Sequence, residues 1–182
     1  MINKKRLENA MREIILALGD DPNREGLIDT PKRAAEMYVE MFEGMNYTND
    51  EVAVMFDKCF SEDYITDSKN VVIIKDIDIF SHCEHHLALM YDMTVDVAYI
   101  PNGKVIGLSK IARICDMIAK RLQLQERIGN DILEVMKKIT NSNDILIRIK
   151  GCHSCVTARG IKKRSTTTTI SKIGNIDLEV FK

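Results

Sequence analysis

Apolar residues recur at every third or fourth position through the first third of the chain, a spacing typical of amphipathic helices. Thr30-Pro31 indicates a helix start, because the hydroxyl can cap free N–H groups and proline fits the first turn. Thr48 and Glu51 stand three residues apart, which is the spacing of a capping box. Three helices are therefore predicted, from Asn3 to Leu18, from Thr30 to Gly44 and from Thr48 to Phe56.

Beyond Asn70 the pattern changes to that of strands and then alternates between strands and helices. Val71 to Ile74 is an unbroken β-branched run, which predicts a buried strand. Met93 to Tyr99 alternates in polarity, and the Pro101-Asn102-Gly103 turn predicts that the chain returns as a hairpin through Ile106. The remaining predictions are helices from an N-cap at Ser109 to about Lys120 and from about Gln123 to Ile139, and strands from Ile145 to Lys150 and from Ser165 to Ile170.

This order of elements predicts an α+β fold. The sequence strand, strand, helix, helix, strand, strand indicates an antiparallel four-stranded sheet with two antiparallel helices on one face. Residues 1–68 would form an N-terminal helical region and residues 69–182 the catalytic domain. The second face and the edges of such a sheet need cover, so we expect the chain to form an oligomer.

The residues best suited to chemistry are concentrated in two short stretches. All four histidines of the chain and three of its five cysteines lie within residues 82–86 and 152–155. Thiol and imidazole groups gathered from distant segments are the ligands that zinc prefers in a tetrahedral shell. The clustering therefore predicts a zinc site.

Spacing within these stretches favours one set of ligands. Cys83 and His86 can reach one ion from a tight turn. If their segment is extended, His153 and Cys155 share a face but stand about 6.5 Å apart, so one can ligate while the other stands beside the ion. The economical ligands are Cys83, His86 and Cys155, and His85 and His153 would then stand beside the ion to move protons near neutral pH. Three protein ligands and one open position are typical of catalytic zinc, which activates water.

Three other interpretations of the same residues stay open. The zinc could be structural, with Cys152 or His85 as a fourth ligand. Cys152 and Cys155 could form a redox pair. Cys83 and Cys155 could also form a disulfide in an oxidised protein that lacks metal.

Size and charge limit the classes of function. The chain has 182 residues, 45% of them hydrophobic and 29% charged, so we expect one globular domain with or without a helical extension. A formal net charge of -1 argues against electrostatic binding of nucleic acid. The sequence contains no long apolar run and no apolar signal region after Met1, so we expect no membrane contact. A cytoplasmic location with reduced or metal-bound thiols follows.

Several polar residues near predicted helix starts fit a nucleotide. Gln125 and Glu126 place an amide beside a carboxylate, which matches the adjacent N–H donors of a guanine edge. Lys110, Arg113 and Arg159 supply positive charge that could clamp a triphosphate. For each residue alone the simpler interpretation is a solvated charge or, for Glu126, a favourable charge at a helix N-terminus.

Ordered motifs over nearly the whole chain carry a resemblance. From about residue 5 to residue 174 the chain closely resembles the GTP cyclohydrolase I family, of the tunnelling-fold superfamily. The matching stretches are Gly26 to Tyr38 (GLIDTPKRAAEMY), Cys83 to Leu87 (CEHHL), Tyr99 to Ile114 (YIPNGKVIGLSKIARI), Arg121 to Arg127 (RLQLQER) and Cys152 to Ile161 (CHSCVTARGI).

The resemblance implies a zinc-dependent reaction in tetrahydrofolate and pterin synthesis. The imidazole ring of GTP is opened at C8, formate is released and 7,8-dihydroneopterin triphosphate forms. The resemblance also implies a tunnelling fold assembled as an oligomeric barrel, a decamer of two pentamers with sites between subunits. Carried over by motif, it assigns zinc to Cys83, His86 and Cys155, acid–base chemistry to His85 and His153, the ribose to Ser109, the guanine edge to Glu126 with Gln125, and the triphosphate to Lys110, Arg113, Arg159 and Arg33.

Two functions of other classes stand beside this one. A non-catalytic, zinc-stabilised oligomeric binding protein would saturate the ion with four protein ligands and would need no spare imidazole. A sister enzyme of the same fold, such as a nitrile reductase acting on a deazaguanine, would use a cysteine nucleophile and a nicotinamide cofactor.

Cys152 occupies a position that usually has no thiol in the family, so it could compete for the metal or oxidise with Cys155.

Overall fold

The computed structural model describes residues 1–61 and 70–182 of the chain. The chain divides into two compact units, Met1–Asn46 and Tyr47–Lys182. The domain boundary predicted between residues 68 and 69 lies outside the described residues.

The first unit is helical, and both helices predicted for it are present. The Asn3 side chain caps the first of them by accepting a hydrogen bond from the Arg6 N–H. The N-cap of the second is Asp29, so Thr30 is the first helical residue and not the cap that was expected. The elements are α1 (Lys4–Ala17) and α2 (Thr30–Met41), which pack together, and a short 3-10 helix (Glu43–Asn46).

The second unit begins with the predicted capping box. The Thr48 hydroxyl accepts from the Glu51 N–H at 3.2 Å, and the Glu51 carboxylate accepts from the Thr48 N–H at 2.8 Å. This reciprocal pair satisfies N–H groups that the start of a helix leaves free. The elements that follow are α3 (Asn49–Phe56), β1 (Cys59–Ser61), β2 (Val72–Cys83), β3 (Ala88–Tyr99), β4 (Lys104–Ile106), α4 (Leu108–Ala119), β5 (Leu122–Gln123), α5 (Gln125–Thr140), β6 (Ile145–His153), α6 (Ser154–Thr157), β7 (Thr167–Ile173) and a 3-10 helix (Leu178–Phe181).

Among the described residues the main sheet has five strands, in the order β5-β2-β3-β6-β7. The four long strands run antiparallel to their neighbours, whereas β5 runs parallel to the end of β2. The α+β class is confirmed, but the prediction of an antiparallel four-stranded sheet is wrong because the sheet is mixed and has a fifth strand. The extra strand forms because the segment between α4 and α5 is extended, and the Gln123 carbonyl accepts from the Glu84 N–H at 3.0 Å.

The hairpin predicted after Tyr99 is wrong. β3 is the central strand, and β2 and β6 occupy both of its edges up to Tyr99, which pairs with Val72 on one side and Ile145 on the other. No hydrogen-bonding edge of β3 is left for the returning chain, so β4 pairs with β1 instead. The strand predicted at Lys104 to Ile106 is therefore confirmed, but the strand predicted to pair with it is wrong.

Helices α4 and α5 pack against each other, with α4 also on β2 and α5 on β6 and β7. The N-cap of α4 is Gly107, so the cap predicted at Ser109 is wrong, and Ser109 lies in the first turn and is exposed. None of the helices in the described part of the chain is long and apolar enough to span a bilayer. The fully buried core that helices and sheet share includes Met90, Val95, Val97, Ile111, Ile114, Ile118, Ile128, Ile132, Met136, Ile147 and Ile149.

Gly151, two residues before His153 on β6, has no room for a side chain. A Cβ at this position would stand 2.7 Å from Met93 Cγ and 3.5 Å from Gln125 Oε1. We expect Gly151→Ala to lower the free energy of unfolding by about 1–3 kcal/mol, because Met93 must leave its packed position. Urea denaturation measures this loss.

A double-mutant cycle identifies the cause of that loss. Met93→Ala alone should lower the free energy of unfolding by about 2–5 kcal/mol, since it opens a cavity. If the Gly151→Ala side chain clashes with Met93, the double variant will be more stable than the sum of the two single losses predicts. Additive losses would show that the strain lies elsewhere.

Candidate active site

The first cysteine–histidine stretch forms the turn between β2 and β3. Cys83 ends β2 and pairs with Ala88, the first residue of β3. The His86 N–H donates to the Cys83 carbonyl at 3.4 Å, and Leu87 closes the turn with a φ of 53°. The expected tight turn is present, and it leaves Cys83 buried while His85 and His86 are exposed.

Glu84, between the candidate ligands, ties this turn to the start of α5. Its carboxylate accepts two hydrogen bonds from the Arg127 guanidinium, at 2.6 and 3.1 Å. The Arg127 guanidinium also lowers the pKa of the Glu84 carboxyl, so the pair keeps its opposite charges at neutral pH. A bidentate pair fixes direction as well as distance, which holds the turn in place.

The second stretch passes from the end of β6 into α6. Tyr91 on β3 pairs with Cys152 on β6, which brings this stretch beside the first one. Cys155 lies in α6, so the assumption that its segment stays extended after His153 is wrong. The Thr157 hydroxyl accepts from the Tyr91 hydroxyl and donates to the His153 carbonyl, each at 3.3 Å, and these bonds anchor α6 to both strands.

Cys83 and Cys155, one from each stretch, are close enough for Cys83 to affect the Cys155 thiol. Burial raises the pKa of the Cys155 thiol, and the neighbouring Cys83 raises it further. Ionising two neighbouring thiols together is unfavourable, because like charges repel, unless a cation lies beside them. Nδ1 of His85 stands 3.8 Å from the Cys83 sulfur, so an imidazole accompanies the two thiols.

The His86 ring faces a cation. Its Nε2 lies 2.7 Å from Nη1 of Arg159, and a guanidinium can only donate, so this ring nitrogen accepts. Across residues 1–61 and 70–182, no three Cys, His, Asp or Glu side chains are arranged as a ready metal site. The structure thus brings together two of the three predicted ligands, Cys83 and Cys155, and holds the third, His86, on Arg159.

His153, at the end of β6, is partly buried beside α5. Its Nε2 lies 2.8 Å from Oε1 of Gln125, whose own amide nitrogen donates to the Ile149 and Thr167 carbonyls at 3.2 and 3.0 Å. Burial lowers the pKa of His153, and the Glu126 carboxylate opposes that shift. The ring is therefore neutral at neutral pH and able to accept a proton.

The other predicted site residues lie near helix starts. Ser109, Lys110 and Arg113 occupy the first two turns of α4, where Lys110 is half-buried and the other two are exposed. Glu126, the second residue of α5, is exposed as well. Arg33 belongs to the first compact unit, where its Nη2 donates to Asp29 at 3.2 Å.

Two contacts of this site escape prediction from the sequence, the Glu84–Arg127 ion pair and the Gln125–His153 hydrogen bond. A partial signal exists, because Gln125, Glu126 and Arg127 put three polar side chains into one turn at the start of α5. The signal does not identify the partners, which the adjacent ends of β2 and β6 provide.

The donor chemistry of the site fits zinc. Two thiols from distant segments are neighbours, an imidazole stands beside one of them, and soft sulfur and nitrogen donors are what zinc selects. The ligand set Cys83, His86 and Cys155 would be complete if the His86 ring left Arg159 and bound the ion instead.

Alkylation should distinguish the thiols of the site from a thiol of the core. Burial raises the pKa of Cys115 to about 12, so almost none of it is thiolate near neutral pH. We expect iodoacetamide to modify Cys155, which is half-buried, in zinc-free protein and to spare Cys115 until urea unfolds the chain. Zinc should protect Cys155 if that residue is a ligand. Mass spectrometry of peptides reads each site, and unchanged labelling of Cys155 with zinc would remove it from the ligand set.

The chain is similar to known proteins over most of its length. A family model described as GTP cyclohydrolase I matches residues 7–179. A GTP cyclohydrolase 1 of Clostridium acetobutylicum is 62% identical over 169 residues, which cover 92% of this chain and 87% of that protein. A GTP cyclohydrolase 1 of Clostridium botulinum is 58% identical over 181 residues, covering 97% and 92%. Among solved structures, the apo form of archaeosine synthase QueF-Like is 22% identical with a TM-score of 0.48, covering 60% of this chain and 99% of that one.

Proposed function

This chain belongs to the GTP cyclohydrolase I family, and we propose that it converts GTP to 7,8-dihydroneopterin triphosphate and formate, the first step of tetrahydrofolate and pterin synthesis. The observation that carries this proposal is that the two cysteine–histidine stretches lie side by side, with Cys83 near Cys155, in a chain so closely similar to relatives of that name. A hydrolytic ring opening needs activated water and groups that move protons, and these residues supply both needs.

We further propose zinc as the cofactor, held by Cys83, His86 and Cys155. When bound, the ion would supply an activated water for hydration at C8 of the purine. The proximity of Cys83 to the Cys155 thiol supports this ligand pair, and the lone pair of His86 Nε2, which now accepts from Arg159, supports the third ligand. Arg159 is then released to meet a phosphate of the substrate.

His85 and His153 are the proposed acid–base groups. His85 is exposed beside the Cys83 sulfur, so it can reach substrate without displacing a ligand. His153 is neutral and held by Gln125, so it can accept a proton from the water that attacks C8 and return it to the ring nitrogen whose bond to C8 breaks.

Substrate contacts follow from charge. We assign the triphosphate to Lys110, Arg113 and Arg159, because these cations lie near helix starts or on exposed surface. The guanine edge is assigned to Glu126 beside Gln125, and the ribose to Ser109. Exposure of Ser109 and Glu126 supports a role in binding, since neither side chain is needed by the core.

We propose that the protein works as a cytoplasmic homo-oligomer, a decamer of two pentamers forming a barrel. Large apolar side chains stand exposed on and around the strands and loops that carry the site, and such a surface favours cover by another subunit. The residues concerned include Ile73, Phe80, Leu87, Leu108 and Ile161. Light scattering coupled to size-exclusion chromatography measures the assembly.

The alternatives are less well supported. A non-catalytic zinc protein would have no use for a neutral histidine held by a buried amide, as His153 is. A sister enzyme of the same fold is disfavoured because the relatives of this chain at 58 and 62% identity are all named GTP cyclohydrolase 1.

The test is to incubate zinc-loaded protein with GTP and to measure formate together with fluorescence of the oxidised neopterin product. Both should appear, and both should disappear with a chelator. Formate without pterin would place the failure in the later steps, around Ser109. Binding of GTP and zinc with neither product would support the non-catalytic alternative.

A further inference from the structure

The Gln125 side chain, at the first residue of α5, is held by the protein at both ends. Only 1% of Gln125 is exposed. Its Nε2 donates to the carbonyls of Ile149 and Thr167, at 3.2 and 3.0 Å, and lies 3.4 Å from Oγ1 of Thr169. Its Oε1 lies 2.8 Å from Nε2 of His153.

The two main-chain carbonyls decide which way the amide points. A carbonyl oxygen only accepts, so it must face the amide nitrogen of Gln125. The reverse orientation would set the amide oxygen against two carbonyl oxygens and leave buried acceptors without donors, which is strongly unfavourable. Nε2 of His153 consequently faces an oxygen that cannot donate, and this ring nitrogen must carry the hydrogen.

We propose that Gln125 is a positioning residue that fixes His153 in the tautomer protonated at Nε2, leaving Nδ1 as the nitrogen that accepts and returns the proton. A hydrogen bond to one ring nitrogen determines which nitrogen is active at the other side of the ring. The catalytic use of Nδ1 rests on the proposed function, whereas the tautomer belongs to the folded protein alone.

The backbone around the amide is shaped for this contact. Gly151 lies between Ile149 and His153 on β6, and a Cβ there would approach Gln125 Oε1 to 3.5 Å and Met93 Cγ to 2.7 Å. Gly151 also pairs with Thr167 on β7, whose carbonyl receives the amide hydrogen. Gln125 thus connects α5, β6 and β7 at the point where β6 delivers His153.

The tautomer can be measured directly. Magic-angle-spinning 15N NMR of zinc-loaded protein with labelled histidine distinguishes a protonated from an unprotonated ring nitrogen, whatever the size of the assembly. The spectrum of His153→Ala identifies the His153 signals by difference. We expect His153 to carry its hydrogen on Nε2. A hydrogen on Nδ1 in the unchanged protein would overturn the proposal without any further variant.

Variants connect the tautomer to catalysis. Gln125→Leu removes the acceptor, so we expect a mixture of His153 tautomers and a kcat lower by on the order of 10- to 100-fold, with a smaller effect on KM for GTP. If the leucine variant does not fold, the spectrum of the unchanged protein still decides the tautomer. Thr169→Val removes only the long contact to the same amide and should change neither quantity.

The outcomes separate this proposal from the proposed function. A raised KM with unchanged kcat and unchanged tautomer in Gln125→Leu would make Gln125 a substrate contact and overturn the positioning role. No formate from GTP in the unchanged protein, together with an Nε2-protonated His153, would reject the proposed function while leaving the tautomer assignment standing.

Discussion

Cys155→Ala is expected to abolish both zinc binding and turnover, whereas His153→Ala is expected to keep zinc and lose turnover alone. The first change removes one of three proposed ligands, the one whose thiol lies near Cys83. The second removes a group that moves protons, an effect typically of about 10²–10⁴ in kcat. Zinc per chain after dialysis, measured by mass spectrometry, and formate release from GTP are the two readouts.

Cys152→Ala is the matched control. Cys152 is a buried thiol only three residues from Cys155, and its sulfur lies 3.8 Å from the Thr166 hydroxyl. We expect this variant to keep both zinc and turnover. Loss of zinc in Cys152→Ala would mean that the ligand set includes this thiol, and near-normal turnover in His153→Ala would remove that residue from the acid–base pair.

Local signals account for the parts of this fold that the sequence predicts correctly. The capping box at Thr48 and Glu51 depends on groups three residues apart, and it is present. The β-branched run that begins at Val71 predicts β2 by its strand propensity, but the prediction that this run is buried is wrong, because Ile73 is exposed and its neighbours are only half-buried. The wrong prediction of strand pairing is of another kind. The partner of β4 depends on whether β3 has a free edge, which is a property of the assembled sheet.

The same distinction applies to the site. Clustering of soft donors predicts that Cys83 and Cys155 meet, because few other uses gather such residues from distant segments. The contacts that orient side chains leave no such clustering in the sequence. The Gln125–His153 bond exists because the carbonyls of Ile149 and Thr167 turn the amide, and the positions of those carbonyls follow from the register of β6 against β7.

Asp96→Ala is expected to cause the largest loss of stability. Asp96 lies on the central strand β3, is 1% exposed and accepts a hydrogen bond from Nε of Arg148 at 2.6 Å, and Nη2 of the same guanidinium lies 2.5 Å from the same oxygen. It also accepts from the N–H of Asp76, a residue with a φ of 58° at the bulge in β2. Removing the carboxylate leaves a largely buried guanidinium without its counter-charge, a change that costs about 3–5 kcal/mol.

Urea denaturation of the zinc-free protein at a fixed chain concentration measures this loss, because both metal and assembly would otherwise add stability. Asp50→Ala is the control, since Asp50 pairs with Lys138 on the surface with 79% of its side chain exposed, and it should leave the free energy of unfolding almost unchanged. Arg148 also donates to the Phe181 carbonyl at 3.2 Å and lies over the Phe181 ring. Asp96→Ala should therefore loosen the C-terminal 3-10 helix as well, which faster hydrogen exchange there would reveal. Equal stability of the Asp96 and Asp50 variants would show that the other contacts of Arg148 are enough to hold its charge.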